Sequence, residues 1–285
     1  MEAAGSTPAI STILDFSTSF RVHLELSELR PQISYQRWFG MYVRPFLLNA
    51  GEGSSAVGLK IVHSQRVRHE TVSIGRDLDL EGHALFLAEL AGLFHDIGRF
   101  EQFRQFGTFV DAQSVDHAAV GCKVLKREGV LNDLASEDRS VILDAIYYHN
   151  KLAVPESFRD LRLLLSQLVR DADKLDILRV FDEVREKGSG TETVNLGLPE
   201  CPDISPSVFR EFMQGDVVRF KNIRTSADFL VMRLSWLYDI NFQPTLKRII
   251  ERGYIKRMEQ QIPDGRVREQ IFHRLKRYLS ERMSA

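Results

Sequence analysis

A histidine and an aspartate stand side by side at the end of an apolar run, Leu90-Ala91-Gly92-Leu93-Phe94-His95-Asp96-Ile97-Gly98. Two polar groups at the mouth of so hydrophobic a segment cost desolvation energy unless something pairs with them. Neutral imidazole and carboxylate together suit a divalent ion such as Fe, Mn, Ni, Co, Zn or Mg. A fold that carries this pair must therefore bring further donors to it. The chain offers four: His63 in Val62-His63-Ser64-Gln65-Arg66-Val67, His117 in Asp116-His117-Ala118, His149 in Tyr148-His149-Asn150, and Asp173 in Asp171-Ala172-Asp173-Lys174-Leu175-Asp176. Each lies on a segment that reads as a separate helix, and facing helices of a bundle build metal sites from inward side chains.

Hydrophobic periodicity predicts an all-α fold. One helix is expected over about 56–74, with His63 on an inward face shared with Leu59, Val62, Arg66 and Glu70. Another spans about 80–97, with His95 and Asp96 in its last turn and Gly98 suiting its left-handed terminus. A short helix plus loop is expected over 99–109, and helices follow near 114–128, 136–150, 156–186, 205–214, 222–241, 243–260 and 264–283. Residues 1–32 read as an N-terminal arm, with a helix beginning near Ser34 that Pro45 kinks or ends. Residues 33–285 read as one helical domain, with its core over about 56–186 and a C-terminal helical extension over about 200–285. The polar, Gly-rich stretch from Glu186 to Thr193 is the best candidate for a loop or lid.

The order His, His-Asp, His, His, Asp, with Phe-His-Asp-Ile-Gly and Asp-Ala-Asp-Lys-Leu-Asp around it, resembles the HD superfamily of metal-dependent phosphohydrolases over roughly Ile61–Leu178. It looks most like bacterial HD-domain proteins with that same ligand order. The resemblance implies an HD-domain helical bundle and a first metal held by His63, His95, Asp96 and Asp173. Members with two extra histidines hold a second metal, here by His117 and His149, with Asp96 bridging; the alternative is one metal, with His117 and His149 on substrate phosphate. Asp171 and Asp176 then take supporting positions.

The implied reaction is cleavage of a phosphate ester or phosphoanhydride by metal-activated hydroxide, with Asp96 and Arg99 as catalytic residues. Arg99, at the position where similar two-metal phosphodiesterases carry a cation, would grip substrate phosphate together with Lys174, Arg66 and Lys151. For Arg66 and Lys174, a salt bridge within the bundle is the competing reading. Asp116, Gln102 and Gln105 border the expected cavity, and Glu101 or Asp111 is a candidate general acid. A nucleotide or cyclic dinucleotide is the expected substrate, with Phe100, Phe103, Tyr147 and Tyr148 either lining a base pocket or filling the core.

Departures narrow this. Asn150-Lys151-Leu152 after His149 lacks the signature of cyclic-di-GMP phosphodiesterases, and position 99 is Arg where 5′-deoxynucleotidase-like members carry glutamate. Two other readings stay open: a mixed-valent di-iron oxygenase using the same six ligands, and a non-catalytic ligand-sensing module.

A net charge of −1 provides no global field toward nucleic acid or membrane, and the basic C-terminal stretches around Lys247–Arg252 and Arg274–Arg277 read as solvated helix faces. Two cysteines in unrelated contexts fit a reducing compartment. With no signal-peptide pattern and no apolar run of membrane-spanning length, a cytoplasmic location is expected. His23, His69, His83 and His273 read as surface or packing residues.

Overall fold

A computed structural model describes residues 26–187, 197–263 and 265–284. Among them there is no strand, and no helix is long and apolar enough to cross a membrane. The helices are α1 (Leu26–Asn49), α2 (Ser54–Asp77), α3 (Gly82–Phe94), α4 (Gly98–Phe106), α5 (His117–Glu128), α6 (Ser136–Tyr148) and α7 (Asp160–Lys187), followed by α8 (Pro206–Gln214), α9 (Ser226–Ser235), α10 (Gln243–Glu251), α11 (Tyr254–Glu259) and α12 (Arg266–Ser284).

α3 is the axis. Leu87, Ala88, Leu90, Ala91, Gly92, Leu93 and Phe94 are all buried, as expected of a helix apolar on every side. It packs on α2, α6 and α7. Against α2 the approach is close: a Cβ on Gly92 would lie 2.6 Å from Thr71 Oγ1 and 3.2 Å from Arg68 Cα. That proximity brings His63 of α2 beside His95.

Several expectations are corrected. α1 begins at Leu26, so 26–32 are helical rather than part of an arm, and the helix continues through Pro31 and Pro45 to Asn49. The rest of that arm, His23 included, and positions 188–193 of the expected loop lie outside the described residues, while Glu186 and Lys187 are still helical. The inward face of α2 is Val57, His63, Ser64, Val67, Thr71 and Ile74, whereas Leu59 is 40% exposed. The expected helix over 243–260 is two helices, because Gly253 adopts the left-handed conformation (φ 73°) between α10 and α11. The expected 222–241 helix is α9 followed by a 3₁₀ turn, Trp236–Asp239.

Gly98 has a different role from the one its position suggested. It opens α4 instead of ending α3. A Cβ there would lie 2.1 Å from the His117 carbonyl oxygen and 2.5 Å from the Gly121 nitrogen, so glycine is required by the contact between α4 and α5.

The C-terminal helices dock on α2 and α7 through ion pairs: Arg248 with Asp77 (2.6 Å), Arg252 with Glu70 (2.6 Å) and Arg257 with Asp182 (2.7 Å). Part of the basic sequence near Arg248–Arg252 is therefore spent inside the molecule.

Candidate metal centre

α3 ends at Phe94, and His95 and Asp96 occupy the tight turn that leads into α4. Both are buried, as are His63, His117 and His149. The structure brings all six expected ligands together. His63 Nε2 lies 3.2 Å from His95 Nε2 and 3.0 Å from Asp173 Oδ1. Asp96 Oδ2 faces this group, 3.6 Å from His63 Nε2 and 3.7 Å from His95 Nε2. Its other oxygen, Oδ1, faces the opposite way, 3.2 Å from His117 Nε2 and 3.8 Å from His149 Nε2, which are 3.0 Å from each other.

These separations test the fit of a metal. Donors about 2.1 Å from one ion, at angles of 90° to 109°, are about 3.0 to 3.4 Å apart. The shortest donor separations of both groups fall in that range.

The imidazole orientations agree. Each Nδ1 has an acceptor of its own: His63 donates to Asp176 (2.7 Å), His95 to the Gly92 carbonyl (2.8 Å), His117 to Asp111 (2.7 Å) and His149 to the Ile146 carbonyl (2.6 Å). With the proton fixed on Nδ1, four Nε2 lone pairs converge. Lone pairs this close repel unless a cation lies between them, and the donor set therefore fits divalent metal.

Without metal, protons and side-chain cations carry that burden. Burial opposes charge on Asp96, yet Lys60, His95 and Arg99 hold its carboxyl well below the usual range. Burial likewise opposes charge on Asp173, and His63 and His95 hold it low. Burial and Lys60 oppose a proton on His63, but Asp173 and Asp176 raise its pKa. His149 is driven down to about 3 by burial, then by His117 and His95.

Arg99 places Nε 3.4 Å from Asp96 Oδ1, while its Nη1 donates to Asp111 (2.7 Å) and Gln102 (2.8 Å). Lys151 is bound to Asp116 (2.6 Å) and lies over the Tyr147 ring. Two expected phosphate-binding cations sit in ion pairs instead: Arg66 with Glu183 of α7 (3.1 Å), and Lys174 with Asp239 (2.8 Å). For both, the bundle salt bridge describes the geometry.

Of the general-acid candidates, Glu101 contacts Tyr42, Arg104 and Arg127, none of them a residue of the cluster, and Asp111 is committed to His117 and Arg99. Phe100 is buried against Phe39 and Phe46, which removes it from any base pocket. Phe103 packs on Phe109, and Tyr148 on Phe158. Tyr147, 37% exposed, is the aromatic of the four open to solvent. Asp116 caps α5 through Ala118 N and Ala119 N, Gln102 is buried in hydrogen bonds to Asp111 and Ser114, and Gln105 is exposed. His69 and His83 are exposed and bound to Arg68 and Asp138, and His273 is exposed.

Sequence reading passed over Lys60. Its Nζ lies 2.8 Å from Asp96 Oδ2. It stands one turn before His63, so helical spacing alone put it beside the site; the sequence reading chose Arg66, one turn after, which faces α7.

No curated protein and no solved structure matches the chain. The family model of the HD domain does match, over residues 61–178, the segment that holds all six converging side chains. The similarity to the HD domain thus spans the segment from Ile61 to Leu178.

Proposed function

We propose that this protein is a metal-dependent phosphohydrolase with two divalent ions, the first held by His63, His95, Asp96 and Asp173, the second by Asp96, His117 and His149. The observation that carries the reading is the placement of Asp96: its two oxygens face two separate groups of donors, as a bridging carboxylate requires. When bound, such ions lower the pKa of water to near neutrality and offset the charge of a phosphate ester.

The chain's own residues do the rest. Asp111 and Asp176 orient His117 and His63 and keep their Nε2 atoms free of protons. Arg99 and Lys60, both touching Asp96, supply positive charge where phosphate would enter. Lys151 and the exposed ring of Tyr147 form a second contact at the rim, suited to the base or sugar end of a nucleotide. A small phosphorylated molecule in the cytoplasm is thus the proposed substrate.

The test is elemental analysis of protein purified without chelator, followed by phosphate-release assays on a nucleotide panel. Two ions per chain and oxygen-independent phosphate release are expected. Iron with substrate-dependent oxygen uptake would replace the hydrolase by an oxygenase, and protein that binds no metal after reconstitution would leave a sensing module.

A further inference from the structure

Arg170 stands one turn before Asp173 on α7 and is 4% exposed. Its donors run in two directions. Nη1 donates to the carbonyls of Tyr148 (2.9 Å), His149 (3.4 Å) and Lys151, and Nη2 to that of Leu152 (3.3 Å). These acceptors follow the last turn of α6, where backbone carbonyls have no helical partner and a cation is favoured. His149 is the residue that ends α6. Nη2 also donates to Asp239 Oδ2 (2.7 Å), in the 3₁₀ turn after α9.

Asp239 is the counter-charge of a buried guanidinium, and it holds Lys174 Nζ as well. Two residues further on, Asn241 N and Nδ2 and Phe242 N donate to buried Asp171 (2.9, 2.8 and 3.0 Å). The C-terminal helices therefore grip α7 on either side of Asp173, and through Arg170 they reach the His149 turn.

We infer that Asp239 and Arg170 are positioning residues for His149, so that the C-terminal helices complete the second half of the metal centre. The argument is electrostatic. Without the Asp239 carboxylate, Arg170 and Lys174 are two neighbouring cations with no anion between them, and burying an unpaired charge is strongly unfavourable. The guanidinium then moves toward water and releases the carbonyls of the His149 turn. His149 loses its fixed angle, while His63, His95 and Asp96, on other elements, keep theirs, and Asn241 and Phe242 still hold Asp171 and with it the α7 turn that carries Asp173. The inference rests on the two-metal reading above.

Full-length protein, stripped of metal, is titrated with Mn²⁺ alone, by calorimetry and by electron paramagnetic resonance for coupling between two ions. Wild type, Asp239→Asn and Arg170→Lys are compared, each with a thermal melt. Both variants are expected to bind the first ion within two-fold of wild type and the second about ten-fold or more weakly, with the coupled signal lost. Lysine fails at position 170 because a point charge cannot span four carbonyls and a carboxylate. Hydrogen exchange over Tyr147–Leu152 in the metal-free proteins is expected to quicken in Asp239→Asn. Second-ion affinity and exchange equal to wild type, with only a lowered melting temperature, would overturn the inference. A wild type that binds no second ion would instead remove the two-metal reading, and the exchange rates would still decide whether Asp239 holds the His149 turn.

Discussion

Gly98→Ala pits two effects of opposite sign against each other. In a helix, alanine is favoured over glycine by about 0.5–1 kcal/mol, so propensity alone predicts a more stable protein. The contact between α4 and α5 predicts the reverse. The new Cβ would lie 2.1 Å from the His117 carbonyl oxygen, 2.5 Å from Gly121 N and 3.0 Å from Gly121 Cα. All three are backbone atoms, so no rotamer relieves them. Reaching an ordinary contact of 3.4 Å with the oxygen requires about 1.3 Å of separation between two packed helices. Overpacking costs about 1–3 kcal/mol, and a backbone collision belongs at the upper end, so the net loss is about 2 kcal/mol. For a chain of this size that lowers Tm by roughly 4–6 °C. On the two-metal reading, the same displacement carries His117 away from Asp96 and weakens the second ion more than the first. Calorimetric melting of the metal-free variant and a Mn²⁺ titration check both parts. A variant that melts at or above wild type and binds two ions normally would refute the argument.

Asp96→Ala is expected to abolish metal binding and turnover while circular dichroism still reports a helical protein; unchanged turnover would sink the assignment of the site. Lys60→Met is expected to tighten the first ion about ten-fold, because an ammonium on Asp96 Oδ2 repels an incoming dication; weaker binding in a competition titration would contradict this. The pH dependence of metal-free stability follows from His149, held neutral in the fold to about pH 3 by burial and then by His117 and His95. The unfolded chain takes up that proton near pH 6.5, so the unfolded state binds more protons and stability falls between about pH 6.5 and 3, by up to ~1.4 kcal/mol per unit. His63, with a raised pKa, contributes with the opposite sign. The stability difference between wild type and His149→Gln isolates the one from the other. Wild-type stability minus that of the variant should fall on acidification in urea denaturation, and a rise would reverse the sign of the argument.

The converging residues were legible because each stands in a context that its own helix makes unusual: His95-Asp96 after an apolar run, Asp173 among three aspartates, His63 on an amphipathic face. Helices with clean periodicity were legible as well. What the sequence hid were relations between elements. Gly98 reads locally as a terminator, since its partner is a backbone carbonyl nineteen positions later. The choice between Lys60 and Arg66 depends on which neighbour α2 meets on each side, and periodicity says nothing about that. Leu59 and Val62 carry helical spacing yet lie off the buried face of α2. Arg170 looked like any helical arginine until the end of α6 and the turn at Asp239 converged on it.

The charges of the assembled site constrain what it can accept. Asp96 and Asp173 face the converging histidines, and Asp111 and Asp176 stand one hydrogen bond behind His117 and His63. Four carboxylates thus contribute four negative charges. Two divalent ions with Lys60 and Arg99 would contribute six positive ones, leaving an excess of two. In a buried pocket such an excess is costly, because water screens it poorly. A neutral substrate leaves the excess in place; a phosphate dianion cancels it. One metal instead of two brings the count to zero, and the same pocket then has no electrostatic reason to bind phosphate. Inorganic phosphate should therefore bind the protein loaded with two ions far more tightly than the protein loaded with one. Equal affinity in the two states would mean that anion recognition lies with the side chains alone.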